Sequence, residues 1–167
     1  PTSWYYDAVN FNKAFEIFGG DELGNFNPNA NITRGQLVTV LGRIIMAEAE
    51  KTMTTAQFNA FLKAQTSKVD GMKSNSGFTD LGGKYYERYA KLFAKWGIVN
   101  GYPDGTFGGD KNITREEMAT LIKRFVEAYY GSTDNVKFGK AATFKDFSKV
   151  SDWAKGNVQW VGKVGLF

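Results

Sequence analysis

Apolar residues recur at three- and four-residue intervals in two long segments of the chain, and this spacing predicts two amphipathic helices. Each segment begins with a threonine that is followed three residues later by Glu or Gln, a pair that forms a capping box at a helix start. These pairs are Thr33 with Gln36 and Thr114 with Glu117. The apolar stripes are Leu37, Val40, Leu41, Ile44 and Ile45 in the earlier segment, and Met118, Leu121, Ile122, Phe125, Val126 and Tyr129 in the later one.

The two predicted helices belong to a longer internal repeat. Ile32-Thr33-Arg34 and Ile113-Thr114-Arg115 lie 81 positions apart, and the same offset aligns further residues without a gap. The aligned pairs are Tyr5 and Tyr86, Ile17 and Ile98, Gly20 and Gly101, Gly24 and Gly105, Phe26 and Phe107, and Arg43 and Arg124. Such self-similarity at a fixed offset indicates duplication of one structural unit.

Each copy of the repeat is predicted to fold as helix, loop and helix. One face of the first helix in the second copy carries Tyr85, Tyr89, Leu92 and Trp96. Gly97 follows, where a residue in the left-handed conformation would end the helix. The next loop contains Pro103-Asp104-Gly105, which favours a turn, and we expect Phe107 to anchor that loop in the core. The other aromatic residues expected in the core are Tyr89, Phe93, Trp96 and Trp160.

A third copy begins near the end of the chain and reaches only its first helix. Its residues Phe144, Asp146, Trp153 and Gly165 match Phe78, Asp80, Tyr85 and Gly97 of the second copy. Between the two full copies, Thr54 and Gln57 form another capping-box pair, which predicts a short helix to about Gln65 and then a polar linker. The sequence therefore predicts an all-α fold of tandem helix-loop-helix repeats around a shared helical core.

The composition excludes several classes of function. The 167 residues include no cysteine and no histidine, so disulfides, thiolate metal sites and histidine-based catalytic triads are absent. No apolar run approaches the roughly 18 residues of a membrane span, so we expect no membrane insertion. The net charge of +4 favours an anionic partner, but Lys and Arg are too dispersed to indicate a nucleic acid.

Metal binding and catalysis find no support in the acidic residues. A calcium loop that starts at Asp104 requires a glutamate at its twelfth position, which is Arg115 in this chain. Glu116 and Glu117 are adjacent on a predicted helix and diverge, so they cannot flank one glycosidic bond. We therefore expect no metal, no cofactor and no catalytic residue.

The repeated residues carry a resemblance to a known family. The order of aromatic helix, Gly-Tyr-x-Asp-Gly-x-Phe loop, Ile-Thr-Arg-x-Glu segment and amphipathic helix is similar to the S-layer homology (SLH) module of bacterial surface proteins. The resemblance divides the chain into SLH-like repeats at residues 1–50 and 77–131 and a partial repeat at 141–167. A helical insertion with its linker occupies residues 51–76, and a second linker occupies 132–140.

The resemblance implies an incomplete pseudo-threefold arrangement, an extracellular location at the cell wall, and a ligand that lies in grooves between modules. That ligand is an anionic secondary cell-wall polysaccharide, often pyruvylated. The family's binding motif falls on Thr114, Arg115, Glu116 and Glu117, and in the first copy on Thr33 and Arg34, where Gly35 and Gln36 depart from the motif. The other candidate ligand-binding residues are Gly101, Tyr102, Trp4, Tyr85, Trp153, Asp80 and Asp146.

An arginine at a helix start is electrostatically unfavourable, because the helix dipole is positive there. A carboxylate or phosphate would compensate Arg34 and Arg115, since a guanidinium and helix-start amides bind such anions together. Two alternatives remain open at this stage. Arg115 could pair with Glu116, Asp80 or Asp146 instead, and the two aspartates could cap or orient helices.

A second class of function is compatible with the same repeats. The partial third copy would leave an apolar face that another chain could cover, so the module could assemble a surface-layer lattice or a homo-oligomer. The leading hypothesis is a non-catalytic module that anchors a surface protein to an anionic wall glycan.

Overall fold

The computed structural model of the chain is all-α and describes residues 6, 8–10, 17–21, 23–66, 77–134 and 136–167. Its helices with defined bounds are α1 (Arg34–Glu50), α2 (Thr55–Thr66), α3 (Glu87–Lys95), α4 (Arg115–Tyr130) and α5 (Lys155–Lys163). A single 3-10 turn, Phe147–Lys149, precedes α5, and residues 6 and 8–10 are also helical. Within these ranges there is no β-strand, and an isolated bridge joins Thr33 to Asn112. The predicted fold class is confirmed.

The predicted capping boxes start both long helices. The amide of Gln36 donates to Thr33 Oγ1 at 3.2 Å, and the amide of Thr33 donates to Gln36 Oε1 at 2.8 Å. Thr114 and Glu117 make the same reciprocal pair at the start of α4. The capping box predicted at Thr54 and Gln57 likewise starts α2, which ends one residue after its expected end. These helix starts therefore follow from local side-chain chemistry.

One hydrophobic core joins the helices of the two full copies and the third segment. Helix α3 packs against α1 and α2, and α4 packs against α5. The largest fully buried side chains include Tyr86, Tyr89, Phe93, Phe107 and Leu92. The expected anchoring of the second loop by Phe107 is confirmed, and so is the burial of Tyr89, Phe93 and Trp160.

The apolar stripe predicted for the first helix of the second copy is wrong at its first position. Tyr85 is 61% exposed, whereas its neighbour Tyr86 is buried. Helix α3 begins only at Glu87, so residues 85 and 86 lie in a turn and the helical period does not extend to them. The hydroxyl of Tyr86 donates to Asp110 Oδ1 at 3.1 Å, which gives the buried ring a polar partner.

Three glycines make room for the buried tyrosines of the second copy. A Cβ on Gly42 would lie 2.1 Å from the ring of Tyr89, and a Cβ on Gly35 would lie 2.3 Å from the ring of Tyr86. A Cβ on Gly109 would lie 2.2 Å from the same Tyr86 ring. Any larger residue at these positions would force the tyrosine rings or the backbone to move, since real Cβ atoms essentially never make contacts this short. The departure of Gly35 from the SLH motif therefore has a packing reason.

The backbone repeats along the chain as the sequence alignment does. Gly24 and Gly105, which align at the offset of 81, have φ angles of 81° and 80°. Gly97 and Gly165, matched between the second and third copies, have φ angles of 70° and 69°. These left-handed conformations favour glycine, so each pair performs the same turn in its copy.

Candidate functional site

A cleft of about 320 Å³ lies where the start of α1 meets the glycine-rich loop of the second copy. We call it the first cleft, and its walls include Arg34, Asn100, Gly101, Tyr102, Glu117, Arg124 and Trp153. Five of these residues were predicted from the sequence as ligand-binding: Arg34, Gly101, Tyr102, Glu117 and Trp153. The cleft is therefore built from all three copies of the repeat.

Arg34 is the most buried charged side chain of the first cleft, with 7% of its surface exposed. Its Nη2 donates to the carbonyl of Asn100 at 2.7 Å, and its guanidinium carbon lies 5.1 Å from the ring centre of Phe107. Its Nε is buried and has no acceptor within the described residues. Burial lowers the pKa of Arg34, and Tyr102 and Glu117 act in the opposite direction. Arginine nevertheless keeps its charge at neutral pH.

The helix-start amides of the first copy are occupied by the second copy. The amide of Arg34 donates to the carbonyl of Lys111 at 2.9 Å, and the amide of Gly35 donates to the carbonyl of Gly109 at 2.8 Å. The amide of Gln36 bonds to the side chain of Thr33. These amides do not join Arg34 in an anion site as the sequence suggested. Of the donors at this helix start, the guanidinium of Arg34 is therefore the one that a bound anion could use.

A second cleft of about 380 Å³ lies between the start of α4 and the third copy. It brings together the predicted residues Thr114, Arg115, Glu116 and Asp146, and its apolar walls are Phe144, Val150, Val158 and Phe167. The exposed guanidinium of Arg115 lies 4.8 Å from the ring centre of Phe167. In the part of the chain that the structure describes, Arg115 makes none of the proposed ion pairs with Glu116, Asp80 or Asp146.

The two carboxylates of the second copy's motif bind protein groups. Glu116 accepts from the amide and the hydroxyl of Ser151, both at 2.9 Å, and so holds the third copy against α4. Glu117 accepts from the amide of Thr114 at 2.9 Å and from the hydroxyl of Tyr102 at 3.3 Å. Both side chains therefore position parts of the clefts.

Asp80 and Asp146 match in sequence but differ in their contacts. The carboxylate oxygens of Asp80 accept from the amides of Phe107 at 2.7 Å and Gly108 at 2.8 Å. Asp80 therefore orders the second loop and does not cap α3. Asp146 lines the second cleft, and its carboxylate accepts no hydrogen bond from the described residues.

Two other predicted ligand-binding residues, Tyr85 and Gly101, lie apart from the clefts or have a packing role. Tyr85 lies on another surface, beside Lys84 and Arg88. Gly101 lines the first cleft, but a Cβ there would lie 2.4 Å from the ring of Phe78, so packing alone requires this glycine. Trp4 lies outside the described residues.

Arg124 lines the first cleft and was not predicted as a ligand-binding residue. The available signal was its alignment with Arg43 at the repeat offset, since a cation repeated at the same position of two aligned helices suggests a shared role. Arg43 itself donates to the carbonyl of Ile17 at 3.4 Å. Sequence reasoning missed Arg124 because it considered only the helix starts.

The described ranges offer neither a membrane-spanning helix nor a cluster of metal ligands. None of the helices there has the length and apolar content needed to cross a bilayer. No group of three or more acidic side chains in those ranges is placed to hold a metal ion.

Comparisons with known proteins identify the repeat. The family model described as S-layer homology domain matches residues 1–38 and 77–119. Cell surface glycoprotein 1 of Acetivibrio thermocellus is 30% identical over 158 residues, which is 94% of this chain and 6% of that protein. The Cellulosome-anchoring protein of the same organism is 27% identical over 124 residues, covering 74% of this chain and 24% of that protein.

A further relative comes from another genus. S-layer protein sap of Bacillus anthracis is 24% identical over 163 residues, which is 98% of this chain and 17% of that protein. The chain thus spans less than a quarter of the length of each of these relatives. The predicted extracellular, cell-surface location agrees with their names. The chain therefore belongs to the S-layer homology domain family, through its segments 1–38 and 77–119.

Proposed function

We propose that this chain is a non-catalytic module that attaches a cell-surface protein to an anionic polysaccharide of the cell wall. A relative that is named for anchoring, together with relatives that are named for the S-layer and the cell surface, supports attachment. The net charge of +4 supports an anionic partner. The anionic groups of the polymer are proposed to be pyruvyl ketals or groups of similar charge and size.

The observation that carries this proposal is the state of Arg34. Its guanidinium is buried in the wall of an open cleft, and its Nε lacks an acceptor among the described residues. A buried cation without a paired anion is costly, and a carboxylate from a ligand would remove that cost. A guanidinium binds a carboxylate through two parallel hydrogen bonds, which also fixes the orientation of the ligand.

An aromatic face beside this cation favours a sugar as the carrier of the anion. Trp153 is 57% exposed and lines the first cleft, so the face of its indole is available for the apolar side of a pyranose ring. Tyr102 lines the same cleft, and its hydroxyl donates to Glu117. An acidic sugar would thus place its carboxylate at Arg34 and its ring at Trp153.

The second cleft is proposed as a weaker contact for the same polymer. Thr114, Arg115 and Lys149 offer a hydroxyl and two cations, but Asp146 adds an unpaired carboxylate that repels an anion. The guanidinium of Arg115 is exposed to water, where an ion pair is worth about 1 kcal/mol or less. Most of the affinity is therefore assigned to the first cleft.

The proposal is tested by comparing two exposed aromatic residues that match in the repeat. Trp153→Ala should weaken binding to wall polymer purified from Acetivibrio thermocellus about fivefold, since an aromatic stacking contact is worth about 1 kcal/mol. Tyr85→Ala should leave binding unchanged, because Tyr85 lies on another surface. Equal binding by both variants, with unfolding temperatures that show intact folds, would reject the first cleft as the binding site.

A further inference from the structure

The first cleft contains two guanidinium groups and one carboxylate. Arg34 and Arg124 both line it, and the positive charge of Arg124 contributes to lowering the pKa of Arg34. The carboxylate is that of Glu117, whose oxygens already accept from the amide of Thr114 and the hydroxyl of Tyr102. Neither arginine forms an ion pair in the described part of the chain.

The two arginines enter the cleft from different copies of the repeat. Arg34 belongs to the start of α1 in the first copy, and Arg124 belongs to the middle of α4 in the second copy. Like charges that face one space repel each other, and the repulsion is strong where burial reduces solvation. In the ligand-free protein, this repulsion acts against the contact between the copies, which the bond from Arg34 to the Asn100 carbonyl helps to hold.

We propose that Arg124 is a second anion-binding residue and that one carboxylate of the glycan bridges Arg34 and Arg124. The proposal rests on the proposed function and adds the residue that completes its anion site. A carboxylate has two oxygens and about four lone-pair directions, so it can accept from both guanidinium groups at once. Because the two arginines belong to different copies, a bound carboxylate stabilises the contact between the first and second copies.

This arrangement of two arginines also sets the number of ligands. Arg43, which aligns with Arg124, is bonded to the carbonyl of Ile17, and Arg115, which aligns with Arg34, lies over the ring of Phe167. Among the described residues, Arg34 and Arg124 thus line the same cleft, and neither has a carboxylate partner. The aligned residues Arg115 and Arg43 do not form a second pair of this kind. One strongly bound carboxylate per chain follows from this.

The site is tested first by thermal unfolding of the chain, with sodium acetate replacing sodium chloride at constant ionic strength. Acetate should raise the unfolding temperature of the unsubstituted protein more than that of Arg34→Met or Arg124→Met. Arg124→Met should also be at least as stable as the unsubstituted protein in chloride, because it removes an uncompensated charge and no hydrogen bond among the described residues. Arg43→Met is the matched control, because Arg43 is the aligned half-buried arginine of the first copy and lines neither cleft, and it should keep the full acetate effect.

Arg124 is half-buried, so Arg124→Met should fold. This variant therefore tests the two-arginine site even if Arg34→Met fails to fold. An acetate effect in Arg124→Met as large as in the unsubstituted protein would overturn the proposal. The expected result is that this substitution removes most of the difference between acetate and chloride. Any general effect of acetate on protein stability remains in Arg124→Met, and the Arg43→Met control shows whether loss of an arginine outside the cleft changes the acetate effect.

Titration with purified wall polymer separates this inference from the proposed function. Arg124→Met should weaken polymer binding about tenfold to a hundredfold, the effect of losing a charge-assisted hydrogen bond. Equal binding by Arg124→Met and the unsubstituted protein would reject the two-arginine site and leave the anchoring function intact. If the polymer does not bind the unsubstituted protein but the acetate effect depends on Arg124, the anion site stands and the anchoring function is contradicted.

Discussion

The guanidinium of Arg34 and the carbonyl of Asn100 are joined by a hydrogen bond of 2.7 Å that connects the first copy of the repeat to the second. The amides of Arg34 and Gly35 reinforce this connection through the carbonyls of Lys111 and Gly109. The helix start that the dipole makes unfavourable for a cation is therefore stabilised by contacts with a neighbouring loop. Arg34 and Asn100 both line the first cleft.

Asp80→Ala should destabilise the protein strongly. The carboxylate of Asp80 accepts from the amides of Phe107 and Gly108, and its loss would leave two part-buried donors without acceptors. The expected decrease in the free energy of unfolding is about 3 kcal/mol, measured by urea denaturation. Asp146→Ala is the matched control, because this exposed aspartate occupies the same position in the third copy, and it should cost less than about 0.5 kcal/mol. Equal effects of the two substitutions would show that Asp80 does not order the loop.

Gly42→Ala and Gly156→Ala should change stability in opposite directions. Alanine is favoured over glycine in a helix by about 0.5–1 kcal/mol, but a Cβ on Gly42 would lie 2.1 Å from the ring of Tyr89. Overpacking should exceed the propensity gain and lower the free energy of unfolding by about 2 kcal/mol. Gly156 in α5 has open space around its Cα, so Gly156→Ala should raise stability. Chemical denaturation of both variants measures the two effects, and a stabilising Gly42→Ala would contradict the close packing of α1 and α3.

Stability should fall in acid, partly through Asp110. Hydrogen bonds from Lys84 and Tyr86 lower the pKa of Asp110 in the folded protein. A carboxyl group whose pKa is lower in the folded state stabilises the protein above its unfolded pKa of about 4, and this contribution is lost as the pH falls through the folded value.

Asp110→Asn should therefore reduce the unfolding temperature at neutral pH and flatten its decrease in acid. The pKa values of Asp21 and Asp104 are lowered as well, so some acid sensitivity should remain in the variant. Unfolding temperatures measured across the acid range check both points. An unchanged acid profile would show that Asp110 contributes nothing to it.

The sequence predicts those features that depend on residues close together in the chain. Capping boxes at Thr33, Thr54 and Thr114 join residues three positions apart, and the spacing of apolar residues follows the helical period. The turn at Gly97 depends on one backbone conformation that favours glycine. Each of these predictions is confirmed. The error at Tyr85 arose because the helical period was extended past the true start of α3.

The candidate site could be predicted only in part, because its contacts join distant residues. Arg34 bonds to Asn100, 66 positions later, and Asp80 bonds to Phe107 and Gly108. No local pattern shows that the second copy would occupy the helix-start amides of the first. Trp153 was predicted as a ligand-binding residue, but its place in the cleft that Arg34 also lines depends on how the third copy packs.

The most direct test of the account is a calorimetric titration of this chain with wall polymer purified from Acetivibrio thermocellus. One sample keeps its anionic groups, pyruvyl ketals included, and a second sample has had them removed chemically. The account predicts saturable binding to the first sample and loss of that binding in the second. Equal binding to both samples, or no binding of the folded chain to the intact polymer, would contradict anchoring through an anionic glycan.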